Sequence, residues 1–467
     1  MVVKCHGSYL GINGFNAHTR NAFRGLSKYA KVYVRNFSVD DHNINSYIND
    51  VDKEILSEQT LWTKWKDLSI RQDYPFIWND DYLDKNVGEK INLILAENYH
   101  YYFFDNYYGP KIAYTVWETD LYDPIFFNLI KTFDSNIVPS KWQKECLIKQ
   151  GLDETKIDIV HEGIENDCFP IIQEKSEKFK FLLVGRWGFR KATREIIQCF
   201  LNTFKNFSDV ELHISVDNDQ PTIMSTIERL KYYNLTSDKI VIHNFPKREM
   251  YLHLLKNCNV FLSCSRGEGW NIPLAEAFAC GIPSIYSKGS GQVEFANEYP
   301  LGVDILKKVH AFNHEEKYYG HGFVDEPNFN ELSEVMLHCY KNYESYKKIH
   351  VEKSYNFIKN YSQDKVSKDL YDIINKRYGS ISLSNEGYIK FNKFSDDKNI
   401  IYITQNYFDS CKVFLEIRDI KNNVCFFDDI HMIRNVEYWF GHGSPGKKTF
   451  IVYDANKSAI LFSKTSD

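Results

Sequence analysis

A chain of 467 residues is long enough for two or three domains, and a hydrophobic content of 43% is sufficient for well-packed cores. The formal net charge of −5 does not suggest a nucleic-acid scaffold, and the ten scattered cysteines lack the Cys-x-x-Cys pairs of a zinc site. The N-terminus has no apolar signal core, and no segment approaches ~18 uninterrupted apolar residues. We therefore expect a cytoplasmic chain, at most peripheral at the inner face of a membrane.

The first 170 residues alternate strand and helix patterns, which predicts an α/β lobe. A strand at residues 2–6, a Gly-rich loop, a helix from about 17 to 29 and a strand at 31–34 form the opening of a mononucleotide-binding fold. The loop lacks the Gly-x-Gly-x-x-Gly spacing of a dinucleotide fingerprint.

The predicted first helix carries a basic stripe, because Arg20, Arg24 and Lys28 fall at i, i+4 and i+8. Such a stripe is usually a solvated face. Contact with an anionic lipid or an anionic acceptor is the alternative.

Later in this lobe, strands are predicted at residues 91–96 and 111–116, and Ser140 is a predicted N-cap for a helix over residues 141–150. The strand at 111–116 runs into Trp117-Glu118-Thr119-Asp120. Residues just past the carboxyl ends of parallel strands face the ligand crevice, so Glu118 is a candidate site residue. Its alternative role is a structural acid at a helix N-terminus.

A second α/β lobe is predicted from residue 171 to 377. A strand at residues 180–184 runs directly into a basic loop that contains Arg186 and Lys191. Strand and helix patterns then alternate, including a helix at 247–256, and only helices are predicted after residue 300.

The most informative stretch spans residues 259–294. An apolar run at 259–265 has the length of a buried parallel strand, and a Gly-containing turn follows. Asn271 suits an N-cap and Pro273 a first helical turn. Gly281 and Pro283 then end the predicted helix, and another buried strand follows.

Two acids lie around the start of this predicted helix, Glu268 in the loop and Glu276 about one turn into the helix. The free N–H groups of a helix N-terminus suit an anion such as a diphosphate. Two carboxylates beside that anion would accept hydrogen bonds from hydroxyls, and a nucleoside diphosphate sugar offers all of these groups. The alternative is structural, with Glu268 a solvated loop acid and Glu276 a favourable helix charge.

The order Glu268, seven residues, Glu276, then Ala-Phe-Ala-Cys-Gly-Ile-Pro resembles the signature of retaining GT-B-fold glycosyltransferases of the family 4 (group 1) type. The resemblance covers roughly residues 1–377, with one departure at Asn271, where a glycine is commoner. It implies an α/β fold of two Rossmann-like lobes facing across a cleft. Residues 1–170 would form the acceptor lobe and residues 171–377 the nucleotide-sugar lobe, whose last helix would cross back onto the first.

The resemblance assigns the donor to the second lobe. Glu276 would hold the ribose and Glu268 the sugar hydroxyls, while Arg186 and Lys191 would face the diphosphate. Fixed cations there would stabilise the charge that develops on the leaving group. The implied donor site consists of Gly14, Arg186, Lys191, Glu268, Asn271, Ile272 and Glu276.

On the acceptor side, the resemblance places the first loop, with Gly14, against the donor phosphates and the acceptor, although a plain βα turn is an equal alternative. Many family members carry a histidine near Glu118, so the histidine's role cannot be transferred directly and Glu118 is the matching candidate. The implied catalytic set is Glu268, Arg186, Lys191 and Glu118.

No cofactor or metal is expected, because the resembled fold binds its donor without an essential metal. The pair Asp80-Asp81 is the only suggestion of metal ligands, and no third ligand stands at a usable spacing. By the same resemblance, the leaving phosphate would accept the acceptor's proton, so no separate general base is required.

Residues 378–467 have a different pattern, with alternating runs separated by hairpin-type turns. They predict a small antiparallel β-domain with no visible catalytic constellation. It would bind glycan or a partner protein, or only cover the enzyme.

The sequence therefore predicts a retaining hexosyltransferase-type enzyme that acts on a nucleotide sugar and a glycan, lipid-linked or protein acceptor. Its expected role is in glycan or glycoconjugate biosynthesis. Other GT-B enzymes with a different acceptor, including phosphorolytic ones, remain alternatives. A further alternative is a catalytically inactive, transferase-like subunit that binds glycan or a partner enzyme. The complete set of Arg186, Lys191, Glu268 and Glu276 argues against that inactive form.

Overall fold

A computed structural model describes most of the two predicted lobes and the strands of the tail. The described residues are 1–9, 14–36, 90–95, 110–171, 176–217, 224–243, 248–314, 318–379, and seven strands between 389 and 465. The predicted Asp80-Asp81 pair lies outside the described residues.

The first lobe is built on a parallel sheet of six strands in the order β2-β1-β3-β4-β5-β6. The strands are β1 (Val2–Gly7), β2 (Lys31–Asn36), β3 (Lys90–Leu95), β4 (Lys111–Tyr114), β5 (Ser135–Val138) and β6 (Ile157–Ile159). The described helices are α1 (Gly14–Leu26), α2 (Pro124–Lys131) and α3 (Lys141–Gln150). As predicted, Ser140 caps α3, since its hydroxyl accepts a hydrogen bond from the amide of Gln143.

The second lobe has its own six-stranded parallel sheet, in the order β12-β11-β10-β7-β8-β9. Its strands are β7 (Phe179–Arg186), β8 (Val210–Asp217), β9 (Ile240–Ile242), β10 (Val260–Ser263), β11 (Ser284–Ser287) and β12 (Gly302–Val303). Its helices are α4 (Thr193–Thr203), α5 (Thr226–Tyr232), α6 (Arg248–Lys256), α7 (Ile272–Ala279), α8 (Val293–Ala296), α9 (Phe329–Lys341), α10 (Tyr343–Tyr361) and α11 (Gln363–Tyr378). The predicted architecture of two Rossmann-like lobes is confirmed.

An antiparallel hairpin, β13 (Ile305–Asn313) and β14 (Tyr318–Pro327), follows β12 and corrects the expectation of helices alone after residue 300. The hairpin extends from the second lobe to the first. Lys308 Nζ lies 2.7 Å from the Asp120 carboxylate, and the Asp120 amide donates to the carbonyl of Phe323 at 3.1 Å. The hairpin thus fixes the segment that contains Glu118.

The two chain crossings between the lobes meet each other. The Ile164 amide donates to the carbonyl of Tyr361, and the Gln363 amide donates to the carbonyl of Ile164, both at 2.9 Å. Helix α11 then packs back against α1 at Gly25, where a Cβ would lie 1.8 Å from Ser367 Oγ. The chain therefore crosses back onto the first lobe, as the resemblance implied.

The basic stripe on α1 is not a uniform solvated face. Arg20 is buried and donates from Nη1 to the carbonyl of Tyr9 at 2.9 Å. Lys28 is exposed and pairs with Asp364 of α11. The prediction was wrong for Arg20 because this side chain supports the backbone just after β1.

The tail forms two antiparallel sheets, with strand orders β15-β16-β19 and β18-β17-β20-β21, as the alternating pattern predicted. The strands are β15 (Ile389–Ser395), β16 (Ile400–Gln405), β17 (Ser410–Asp419), β18 (Val424–Ile433), β19 (Tyr438–Gly441), β20 (Lys448–Asp454) and β21 (Ile460–Thr465). Within the described part of the chain, none of the helices combines the length and apolar character needed to cross a membrane.

Candidate active site

The candidate site is centred on the loop between β10 and α7, at the carboxyl end of the second sheet. In open α/β sheets this edge is where ligands bind. Glu268 lies in the loop, and the carboxyl end of β7 brings Arg190 and Lys191 beside it. The segment after β4 supplies Glu118 from the first lobe.

The carboxylate of Glu268 is buried and has two cationic partners. Lys191 Nζ lies 2.6 Å from Oε1, and Arg190 Nη1 lies 2.9 Å from Oε2. Burial would raise the pKa of Glu268, but Lys191 and Arg190 outweigh it, so the pKa lies below its usual value. Glu268 is therefore ionised at neutral pH and can accept hydrogen bonds from hydroxyls.

Lys191 is itself largely removed from solvent, with 18% of its side chain exposed. Burial lowers the pKa of its ammonium group, and Arg190 adds to this effect, while Glu268 opposes it. A desolvated cation interacts more strongly with a bound anion than one in bulk water does.

Arg190 joins the two lobes. Its Nη2 lies 2.9 Å from Oε1 of Glu118, while its Nη1 also donates to the carbonyl of Gly267 at 2.8 Å. Gly267 permits this close approach, because a Cβ there would lie 2.1 Å from the carbonyl oxygen of Glu118. The first-lobe segment and the acidic loop are thus in direct contact.

A second arginine, Arg266, anchors the loop between β10 and α7 to the neighbouring elements. It pairs with Glu195 at 3.0 Å and with Glu326 of the hairpin, and it donates to the carbonyl of Phe189. Its amide also donates to the carbonyl of Arg190 at 2.7 Å. Because Arg266 is buried and bonded on several sides, it ties the basic loop to the acidic loop.

The start of α7 is fixed by Asn271, which has φ +92°. Its side chain accepts from the amide of Leu274 at 3.4 Å and donates to Ser263 at 2.8 Å and Gln292 at 2.7 Å. The positive φ explains why glycine is commoner here in the resembled family. Ile272 is the first residue of the helix.

Glu276, on α7, has a separate set of partners. It accepts a hydrogen bond from the Tyr251 hydroxyl at 2.6 Å and pairs with Arg248, which also contacts Asp167 at 2.8 Å. Burial raises the pKa of Glu276, while Arg248 and Tyr251 act in the opposite direction. The paired acids thus lie in two different electrostatic environments.

Two candidates stand apart from these clusters. Arg186 ends β7 and its side chain is exposed. Gly14 is the exposed first residue of α1, and a Cβ there would meet no atom within 4 Å. Neither residue contacts Glu268 or Glu276 among the described residues.

Sequence reasoning missed Arg190 and Arg248. A buried carboxylate needs a nearby cation, which is the signal that could have found them. Arg190 precedes Lys191 in the basic loop, and Arg248 begins α6, but only tertiary packing shows which acid each one meets. Within the described ranges, no group of three or more His, Cys, Asp or Glu residues is arranged to hold a metal ion.

Comparison with protein families identifies the region around this site. Residues 166–312 match the model for glycosyl transferases group 1. The chain resembles the group 1 glycosyl transferases. The match includes Arg186, Lys191, Glu268 and Glu276, whereas Glu118 and Gly14 lie outside it.

Solved structures with the same fold are similar to this chain at low sequence identity. Sucrose-phosphate synthase from Thermosynechococcus elongatus has a TM-score of 0.56 and 14% identity, covering 81% of this chain and 100% of that one. HepE from Anabaena in complex with UDP-glucose has a TM-score of 0.53 and 12% identity, and the match covers 80% of this chain and 100% of HepE. These likenesses confirm the GT-B fold.

One curated relative matches more than half of this chain at low sequence identity. Uncharacterized protein 356 of Sulfolobus islandicus rod-shaped virus 1 is 23% identical over 302 residues, which cover 59% of this chain and 79% of the relative.

A double-mutant cycle tests the unequal bonding of Arg190. Urea unfolding gives the free energy of unfolding of each single and double variant. From these values we compare the coupling free energy of Arg190→Ala with Glu268→Gln to that of Arg190→Ala with Glu118→Gln. We expect about 1–3 kcal/mol for the buried Glu268 pair and at most about 1 kcal/mol for Glu118, whose side chain is 40% exposed. Equal couplings would contradict the assignment of Glu268 as the principal partner.

Proposed function

We propose that this protein is a retaining glycosyltransferase that moves a sugar from a nucleotide-sugar donor to an acceptor hydroxyl. The observation that carries the proposal is the buried Glu268 carboxylate held by Lys191 and Arg190 at the cleft. The match of residues 166–312 to group 1 glycosyl transferases supports it. The UDP-glucose complex of HepE supports a nucleotide sugar as the donor class.

In this proposal the nucleotide binds to the second lobe. Glu276 accepts hydrogen bonds from the ribose hydroxyls. An ionised carboxylate has about four acceptor positions, and Arg248 and Tyr251 occupy two of them. Asn271 and Ile272 set the direction of the α7 N-terminus, and the positive end of the helix dipole there favours the diphosphate.

The diphosphate is stabilised by Lys191, with Arg186 approaching from the exposed end of β7. As the nucleoside diphosphate departs, negative charge develops on the phosphate, and fixed cations stabilise that charge. Lys191 lies at 2.6 Å from Glu268, so one ammonium group can connect the leaving phosphate to the carboxylate that binds the sugar.

Glu268 accepts hydrogen bonds from hydroxyls of the transferred sugar, while the acceptor enters from the first lobe near Glu118 and Gly14. The bond between the anomeric carbon and the phosphate oxygen breaks, and a bond to the acceptor oxygen forms on the same face. The acceptor's proton passes to the departing phosphate oxygen. The products are a glycoside and a nucleoside diphosphate.

The two acids should separate nucleotide binding from sugar handling. Glu276→Gln is expected to weaken the free nucleoside diphosphate and the intact donor alike, by about tenfold to a hundredfold, because a charged hydrogen bond contributes about 1.5–3 kcal/mol. Glu268→Gln should leave the affinity for the free diphosphate nearly unchanged and lower turnover. Calorimetric titration with UDP and UDP-glucose, and with the GDP and GDP-mannose pair, measures both.

Glu298→Gln, which changes an 83% exposed side chain of the same lobe, is the matched control. Equal losses of free-nucleotide affinity in both variants would contradict the division of roles. Donor binding without any turnover in the wild-type protein would instead favour the inactive, transferase-like alternative.

We also propose that transfer needs no metal, because Lys191 and Arg186 supply the positive charge at the diphosphate. Nucleoside diphosphate release should therefore continue in excess EDTA at close to its rate without chelator. Loss of the activity on chelation, with recovery after Mn²⁺ or Mg²⁺ is added, would show that a cation supplies this charge.

A further inference from the structure

A third acid, Glu162, lies at the carboxyl end of β6, on the sheet edge that also carries Glu118. Its side chain is 5% exposed. His18 Nδ1 lies 3.9 Å from the carboxylate of Glu162, which is beyond hydrogen-bond distance. No other described residue forms a hydrogen bond with this carboxylate, although buried polar groups normally have a partner.

Glu162 does not form an ion pair with this histidine at neutral pH. Burial lowers the pKa of His18 to about 3, and its Nε2 has no hydrogen-bond partner among the described residues. His18 is thus neutral and packs edge-on against Tyr114, with ring centroids 4.8 Å apart. The charge of Glu162 would not be compensated from within its own lobe.

The site already described lies beside Glu162, because the ring of the preceding residue, His161, stacks on Trp270 of the loop between β10 and α7, with ring centroids 4.8 Å apart. Glu268 and Glu118 repel a negative charge on Glu162, and Lys191 attracts it. Burial, followed by the two acids, raises the pKa of Glu162 to about 8. The group is therefore a neutral carboxylic acid at pH 7, with one O–H donor.

We propose, on the basis of the proposed function, that Glu162 is a further substrate-binding residue whose carboxylic acid donates a hydrogen bond to a hydroxyl oxygen of the transferred sugar. A sugar hydroxyl that donates to an ionised acid such as Glu268 still has lone pairs that need a donor. Lys191 is already engaged by Glu268 and, in our proposal, by the diphosphate. Glu162 is a buried acid that has no hydrogen-bond partner among the described residues, and it lies on the sheet edge that also carries Glu118.

Three variants test this proposal, each checked for wild-type melting behaviour. Glu162→Gln keeps the shape and a donor, Glu162→Ala removes both, and Glu154→Gln is a surface control, with 67% of its side chain exposed in the same lobe. Nucleoside diphosphate release from UDP-glucose, UDP-N-acetylglucosamine and GDP-mannose is measured between pH 6.5 and 9.5. Affinity for the free UDP or GDP is measured in parallel.

We expect Glu162→Ala to lose about tenfold in kcat/KM at pH 7, the effect of one lost hydrogen bond, with unchanged affinity for the free diphosphate. Glu162→Gln should stay close to the wild type at pH 7. Wild-type turnover should fall as pH rises through about 8, where Glu162 loses its proton. That fall should be absent in Glu162→Gln, because its amide does not titrate.

Unchanged turnover in Glu162→Ala would overturn the inference while the proposed function stands. The same holds if Glu162→Gln is as impaired as Glu162→Ala, or if it retains the alkaline fall, which would then belong to Lys191 or another group. If the wild-type protein neither binds nor turns over any of the nucleotide sugars, the proposed function fails and the inference fails with it.

Discussion

The structure of the cleft depends on one buried electrostatic arrangement, the Glu268 carboxylate between Lys191 and Arg190. A buried carboxylate without cations would be strongly destabilising, and removing one partner of a buried pair is costly. The remaining contacts follow from this requirement. Arg266 holds the two loops that bring the charges together, and Gly267 lets the Glu118 backbone of the other lobe approach the acidic loop closely. The lobes therefore meet where the charges are concentrated.

The loop that carries the acids is firmly held within its own lobe, whereas some contacts between the two lobes are weaker. Arg266 and Asn271 are buried and bonded on several sides, so the ends of β10 and α7 are well fixed. In contrast, two contacts between the lobes, of Glu118 with Arg190 and of Asp120 with Lys308, are polar and partly exposed. Interfaces of this kind permit relative motion of domains. A site at this position could open to admit a nucleotide sugar and close to exclude water.

Much of this fold was predictable because the local signals were strong. The apolar run before Glu268, Pro273 in the first turn and Gly281 after the helix give the strand–loop–helix unit around α7, and the two sheets follow from repeated strand–helix alternation. The hairpin β13–β14 was not found, because β13 is largely exposed and interrupts its apolar residues with Lys307, Lys308 and His310. Arg20 was placed in solvent because helical spacing does not show that a loop carbonyl of Tyr9 requires a donor.

The site was only partly predictable for the same reason. The spacing of Glu268 with Glu276, and of Arg186 with Lys191, is local and visible in the sequence. In contrast, the packing of distant elements sets the pairing of Glu276 with Arg248 and of Glu268 with Arg190. Glu162 is the clearest case, since only tertiary structure shows that it is buried and close to the charges of the other lobe.

The central claim is that the Glu268–Lys191 pair and Glu276 hold opposite ends of one nucleotide sugar. A crystal structure with UDP-glucose, or with the nucleotide sugar that binds most tightly, tests it most directly. We expect Lys191 Nζ within hydrogen-bond distance of a diphosphate oxygen, the ribose hydroxyls on Glu276 and a sugar hydroxyl on Glu268. A nucleotide bound away from α7, or in the reverse orientation with its ribose at Glu268, would contradict this account.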